Sequence, residues 1–208
     1  MFACFAPFAV SKSHQNKGKK VRSFIAIEVP ENIQKEVVSL MENISPDCAK
    51  VRWVKKENIH LTLIFLGEIA EDVIDQVKER MQTVSKKHKA FNMALQGTGA
   101  FPNFRRPRVL WVGVSPESKE PIIHLTRDLM NSLDFLKIDE RKDFAPHITF
   151  GRIKSVYDSV SLKSGIESIS IKTEEFTAKE ITLFKSVLKP DGAVYTPVTK
   201  FPLQPNDE

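Results

Sequence analysis

Ile59-His60-Leu61-Thr62-Leu63-Ile64-Phe65-Leu66 alternates apolar and polar residues over its first half, and Pro146-His147-Ile148-Thr149-Phe150-Gly151-Arg152 repeats that opening in the second half of the chain. Both read as strands, in which residues two apart share a face. By that rule Ile59, Leu61, Leu63 and Phe65 point one way, while His60 and Thr62 point the other. His147 and Thr149 share a face with Gly151. Each stretch therefore offers an imidazole and a hydroxyl side by side on a rigid backbone.

The surroundings of the two stretches also repeat. Arg22, an apolar strand, Pro30 and a helix precede His60-Leu61-Thr62; Arg108, an apolar strand, Pro116 and a helix precede His147-Ile148-Thr149. From arginine to histidine is 38 residues in one half (60 less 22) and 39 in the other (147 less 108). A chance pair of His-x-Thr triplets has no reason to keep those landmarks at that distance, so the chain reads as an internal duplication. If the halves pack about a pseudo-two-fold axis, two imidazoles and two hydroxyls meet around one cleft.

Further elements follow from periodicity. Ser23 to Val29 is a strand ended by Pro30, and Ile33, Val37, Val38, Met41 and Ile44 recur at helical spacing. Val51 to Val54 is a strand, Val73 to Val84 a helix and Phe91 to Gln96 a strand. Arg108 to Val114 is a strand, Ile122 to Leu133 a helix, and Ala145 to Ile153 is extended. The C-terminal third reads as strands, with Glu180 to Leu188 turned into Ala193 to Thr199 by Lys189-Pro190-Asp191-Gly192. This mixture is that of an α+β protein.

Composition narrows the function classes. The net charge of +5 suggests an anionic partner, but residues 1 to 22 hold five Lys and Arg and no acid. Removing those five from 31 leaves 26 basic against 26 acidic groups, so any affinity for nucleic acid must come from local patches. No apolar run is long enough for a membrane helix. Two cysteines, Cys4 and Cys48, are too few for a disulfide framework and suit a reducing compartment, with the cytoplasm as the expected location. Residues 1 to 20 are apolar, then basic and polar, and read as a mobile extension outside the fold. Residues 21 to 203 read as the single domain and 204 to 208 as a tail.

Paired histidines suit phosphodiester chemistry. Opening a 2′,3′-cyclic phosphate needs a base for water and an acid, on the opposite side, for the departing ribose oxygen. Imidazole supplies both forms near neutrality. Threonine hydroxyls can bond the non-bridging phosphate oxygens as charge builds there. Zinc wants three or four ligands, and no Cys or third His stands at ligand spacing to either motif, so no metal or other cofactor is expected. His14, His88 and His124 carry no comparable pattern; His88, within Lys86-Lys87-His88-Lys89, reads as a helix end.

These residues resemble the two-histidine phosphoesterases, specifically the bacterial and archaeal RNA 2′,3′-cyclic phosphodiesterase branch once called 2′-5′ RNA ligase. The likeness covers about residues 21 to 203. It runs through Val51-Arg52-Trp53-Val54, His60 to Glu68, Gly99-Ala100-Phe101-Pro102, Arg106 to Gly113, Pro146 to Arg152, Leu183 to Leu188 and Gly192-Ala193-Val194-Tyr195. The resemblance implies a bilobal duplicated fold with two antiparallel sheets flanking a central cleft and helices outside. It implies hydrolysis of cyclic RNA ends to 2′-phosphates, with His60 as proton donor to the 3′ oxygen, His147 as base, and Thr62 and Thr149 as phosphate ligands. The partner is RNA or an oligonucleotide with a cyclic end; no membrane and no obligate protein partner is implied, and a monomer is the default.

Two departures and three alternatives accompany this reading. Many relatives carry an arginine where this chain has Ala145, so a cation for the phosphate must come from elsewhere. Arg152 is a candidate, although strand parity points it away from His147, and a surface ion pair is the competing role. Relatives begin with Met where this chain has Val21, which points to Val21 as initiator and to residues 1 to 20 as untranslated; intact mass of the native protein tests this. In the loop from Phe101 to Arg108, Phe104, Arg105 and Arg106 are candidate RNA contacts, or a solvated loop whose aromatics cap the core. Phe65 reads as core. The alternatives are a 2′,5′-oligonucleotide phosphodiesterase, a reversible 2′-5′ RNA ligase, and a module that binds RNA ends without turnover.

Overall fold

The computed structural model describes residues 19–138, 144–190 and 192–206. Ten strands and four α-helices follow one another: β1 (Lys20–Glu28), α1 (Glu31–Ser39), β2 (Ala49–Trp53), β3 (His60–Ala70), α2 (Ile74–Ser85), β4 (Phe91–Met93), β5 (Leu95–Phe101), β6 (Val109–Val114), α3 (Pro116–Ser132), β7 (His147–Val156), α4 (Ser159–Glu167), β8 (Phe176–Ala178), β9 (Glu180–Lys189) and β10 (Gly192–Pro202). The α+β reading and most spans match those expected from periodicity.

Two antiparallel halves form the main sheet. One runs β10-β9-β1-β3; the other runs β5-β6-β7, with β2 on the free edge of β7. A single pairing, Leu61 with Ile148, joins β3 to β7 and makes the whole a continuous eight-stranded sheet. The two expected sheets are thus two lobes hinged at the motif strands. One face of both lobes is covered by a common apolar core, which includes Ile25, Ile27, Leu61, Leu63, Leu110, Val112, Ile148 and Phe150 from the strands, and Ile33, Met81, Leu125 and Ile166 from the helices. The opposite face is the cleft. A short β4-β8 ribbon stands apart.

Four expectations change. Residues 159–167 read as part of a strand-rich third, but form α4; the Asp158 carboxylate accepts from the Val160 and Ser161 amides, and Leu162 and Ile166 supply an apolar i,i+4 pair. The stretch from Phe91 to Gln96 is two strands, because Phe91–Met93 pairs with β8 and Leu95–Phe101 with β6. β1 reaches back to Lys20, paired with Ala70, and the Lys19 carbonyl accepts from the Glu71 amide, so the fold begins inside the expected extension. Residues 1–18 lie outside the described residues. At the other end, Gln204 is tied to the fold by exchanges with His88 and Ala90.

Candidate active site

The pairing of Leu61 with Ile148 decides how the motifs meet. Both side chains are fully buried on the core face. In an antiparallel pair the flanking positions must then face the cleft, which sets His60 beside Thr149 and Thr62 beside His147. The two histidines are diagonal neighbours across the strands, a separation of roughly 7–8 Å. One hydrogen-bonded sheet therefore brings together all four residues expected from the duplicated motif.

His60 lies in an aromatic wall. Its Cα partner on β1 is Glu28, and its ring stacks on Phe24 at 4.9 Å between centroids. Tyr195 meets it edge-on at 5.3 Å, and Phe184 lies 6.0 Å from the imidazole and 5.0 Å from Phe24. Nε2 lies 3.0 Å from Thr62 Oγ1, and a hydrogen bond from the ring to the Asn58 backbone favours the charged form. The apolar wall wins: burial, joined by the nearby Arg152 charge, lowers the pKa of His60 to about 4. The ligand-free imidazole is therefore neutral at pH 7. With Nδ1 protonated against the Asn58 carbonyl, Nε2 accepts the Thr62 hydroxyl proton.

His147 is held in the same way from the other lobe. Its Nδ1 donates to the carbonyl of Ala145, two residues back, at 2.7 Å, as His60 is held by the residue two before it. Phe101 meets the ring edge-on at 4.8 Å, and Trp111 lies 6.5 Å away. Trp111 itself lies flat over Gly99, where a Cβ would stand 2.3 Å from its ring; only glycine permits that approach. Both imidazoles are thus oriented by the backbone of the residue two positions before them.

Strict alternation fails just after each motif, at the same place. Between β1 and β3 the register skips Leu63, so that Leu63 and Ile64 both face the core opposite Ile25. Between β6 and β7 it skips Phe150, and Phe150 and Gly151 both oppose Leu110. These are β-bulges, and each reverses the parity of the residues beyond it. Phe65, expected in the core, pairs with Phe24 on the cleft face and is 51% exposed. Arg152, expected to point away, pairs with Val109 on the cleft face, close enough to His60 to act on its charge. The two residues occupy equivalent positions, five after each histidine.

The remaining candidates separate. Arg105 and Arg106 are exposed in the β5–β6 loop, their amides bonded to Asn103 Oδ1. Phe104 is half-buried and packs on the main core. Sequence reasoning missed the wall of Phe24, Phe184 and Tyr195, which strands far apart in the chain assemble. It also missed Asn58, whose side chain donates to the Ala193 carbonyl of the β9–β10 hairpin at 2.8 Å. His88 bonds Asp128 at 2.9 Å on α3, remote from the motif strands.

Comparison with known proteins agrees with this duplicated geometry. The family model described as LigT-like phosphoesterase matches residues 27–111 and again 112–195, one motif in each match. The chain belongs to the LigT-like phosphoesterase family. An Aquifex aeolicus relative named RNA 2′,3′-cyclic phosphodiesterase is 35% identical over 194 residues, covering 88% of this chain and 97% of its own. One of the same name from Methanothermobacter thermautotrophicus is 30% identical, covering 88% and 100%. A crystal structure from Thermus thermophilus superposes with a TM-score of 0.74 at 28% identity, covering 89% of this chain and all of the other. Escherichia coli LigT complexed with 3′-AMP shares the fold, with a TM-score of 0.69 at 24% identity over 89% and 99% of the two chains. As a LigT-like phosphoesterase, the protein carries one motif on each of the two strands that join its lobes.

Proposed function

We propose that the protein hydrolyses the 2′,3′-cyclic phosphate end of RNA to a 2′-phosphate. The observation that carries this is the register Leu61 to Ile148, which faces two imidazoles and two threonine hydroxyls into one cleft. Water attacks phosphorus opposite the 3′ oxygen and passes its proton to Nε2 of His147. The P–O3′ bond breaks, and Nε2–H of His60 protonates the leaving oxygen. Thr62 and Thr149 donate to the non-bridging oxygens, and Arg152 balances their charge. The exposed ring of Phe65, set against Phe24, is the platform for the terminal nucleoside.

A neutral His60 is a poor acid, and the substrate corrects this. A phosphate anion about 4 Å away, at an effective dielectric near 20, favours the imidazolium by roughly 4 kcal/mol. That is about three pKa units, enough to bring a group near 4 back to neutrality. The Thr62 hydroxyl then turns from Nε2 to the phosphate.

The test is incubation of an RNA oligomer bearing a 2′,3′-cyclic end with the protein in EDTA. The expected outcome is loss of the cyclic end, a 2′-phosphate product and a bell-shaped pH profile. A 3′-phosphate product, joined strands alone, or activity abolished by EDTA would overturn the reading.

A further inference from the structure

Outside residues 1 to 22 the chain has no net charge, yet its basic groups are not evenly spread. β2, β7 and the stretch from Phe101 through β6 carry seven lysines and arginines and not one acidic residue. These three segments converge on one corner of the second lobe. Arg52 stands directly opposite Arg152 across β2 and β7, and the Arg108 carbonyl accepts from the Ile153 amide at 2.9 Å. Beyond them, Arg105, Arg106, Arg108 and Lys154 line an open groove of about 380 Å³. All four are exposed.

Two like charges directly opposite on a sheet repel, and among the described residues no carboxylate forms an ion pair with either of them. Arg52 instead donates to the Pro190 carbonyl at 3.3 Å. Among the described residues, no ion pair is formed by Arg52, Arg105, Arg106, Arg108, Arg152 or Lys154, although the surface elsewhere is laced with them, as at Lys200 between Glu28 and Glu180. A fold that concentrates unrelieved positive charge next to its cleft suits a polyanion. β7 fixes the direction, because it starts at His147 and Thr149, passes Arg152 and ends beside the groove. At about 3.3 Å per residue, His147 to Lys154 spans roughly 20 Å, room for several nucleotides.

We infer that this corner is a track for the phosphodiester backbone of single-stranded RNA upstream of the reacting end, and that the enzyme prefers oligonucleotides to mononucleotides because of it. The inference rests on the phosphodiesterase reading only for which end of the RNA sits in the cleft. Arg52 hands the strand from the site to the groove, and Arg105, Arg106 and Lys154 grip successive phosphates. The Asx turn at Asn103 holds the two loop arginines side by side.

The experiment measures binding of a fluorescent single-stranded RNA ending in a 2′-phosphate, from 50 to 200 mM salt, by the full chain and by Arg105→Gln/Arg106→Gln/Lys154→Gln. Each lost phosphate contact removes about 0.7 from the slope of log affinity against log salt. Three remove about 2, so the affinity of the unaltered protein should fall about 20-fold more than that of the variant across the range. Arg105→Lys/Arg106→Lys should keep the steep slope, which separates charge from loop disturbance. The ratio of oligonucleotide to nucleoside 2′,3′-cyclic monophosphate turnover should drop with the triple variant. Equal slopes for the two proteins, or RNA binding indifferent to salt, would overturn the track. Mononucleotide turnover by the unaltered protein checks the catalytic reading separately.

Discussion

His60 should titrate far below an ordinary histidine when the cleft is empty and close to neutrality when it is full. The perturbation is occupancy by a nucleoside 2′-phosphate, the product of the proposed reaction. In the free protein the aromatic wall and Arg152 hold the ring near pKa 4, against a usual 6.5. A bound phosphate should raise it by about three units, by the Coulomb estimate of roughly 4 kcal/mol at close range. The assay is imidazole nitrogen NMR on labelled protein between pH 4 and 8, with and without the 2′-nucleotide. Proton uptake on binding, read from the buffer dependence of the calorimetric heat at pH 6, gives a second measure. Stability carries the same signature. The folded state holds fewer protons at this site than the unfolded chain between pH 6.5 and 4, so stability is full above 6.5 and falls as pH drops through that window. The loss is about 3 kcal/mol by pH 4, and His60→Gln should abolish that component of the pH dependence. A free-protein titration near 6.5, or one that ligand leaves unmoved, would refute the argument that the wall makes His60 neutral and the substrate makes it an acid.

Three further outcomes are expected. Phe65→Ala should raise KM for RNA by about 5- to 100-fold, the worth of one stacked base, while its 51% exposure leaves the urea midpoint almost unmoved; an unchanged KM would return Phe65 to a passive surface role. Gly99→Ala should cost about 1–3 kcal/mol in urea unfolding and shift tryptophan emission, because the new Cβ would lie 2.3 Å from the Trp111 ring. Asn58→Ala should lower kcat more than it raises KM and displace the limb of the pH profile set by His60, since the Asn58 side chain ties to Ala193 the same residue whose backbone holds that imidazole; loss of stability with an unaltered profile would leave Asn58 a purely structural tie.

Much of this protein was readable from residue order alone. The matched spacing of arginine, strand, proline, helix and His-x-Thr announced the duplication and both histidines, because a repeated unit keeps its landmarks whatever surrounds it. Periodicity gave the strands on which the motifs sit, and with them the shared faces of His60 with Thr62 and His147 with Thr149. It could not give the side chains five residues past each histidine. Leu63-Ile64 and Phe150-Gly151 are both turned to the core, a choice made by packing against Ile25 and Leu110 on neighbouring strands and invisible to a period of two. Those two bulges alone move Phe65 and Arg152 into the cleft. The lowered pKa of His60 is likewise a tertiary property, since Phe24, Phe184 and Tyr195 reach it from three different strands. Local sequence names the paired histidines and threonines; only the assembled sheet determines which side chains surround them and in which charge state His60 waits.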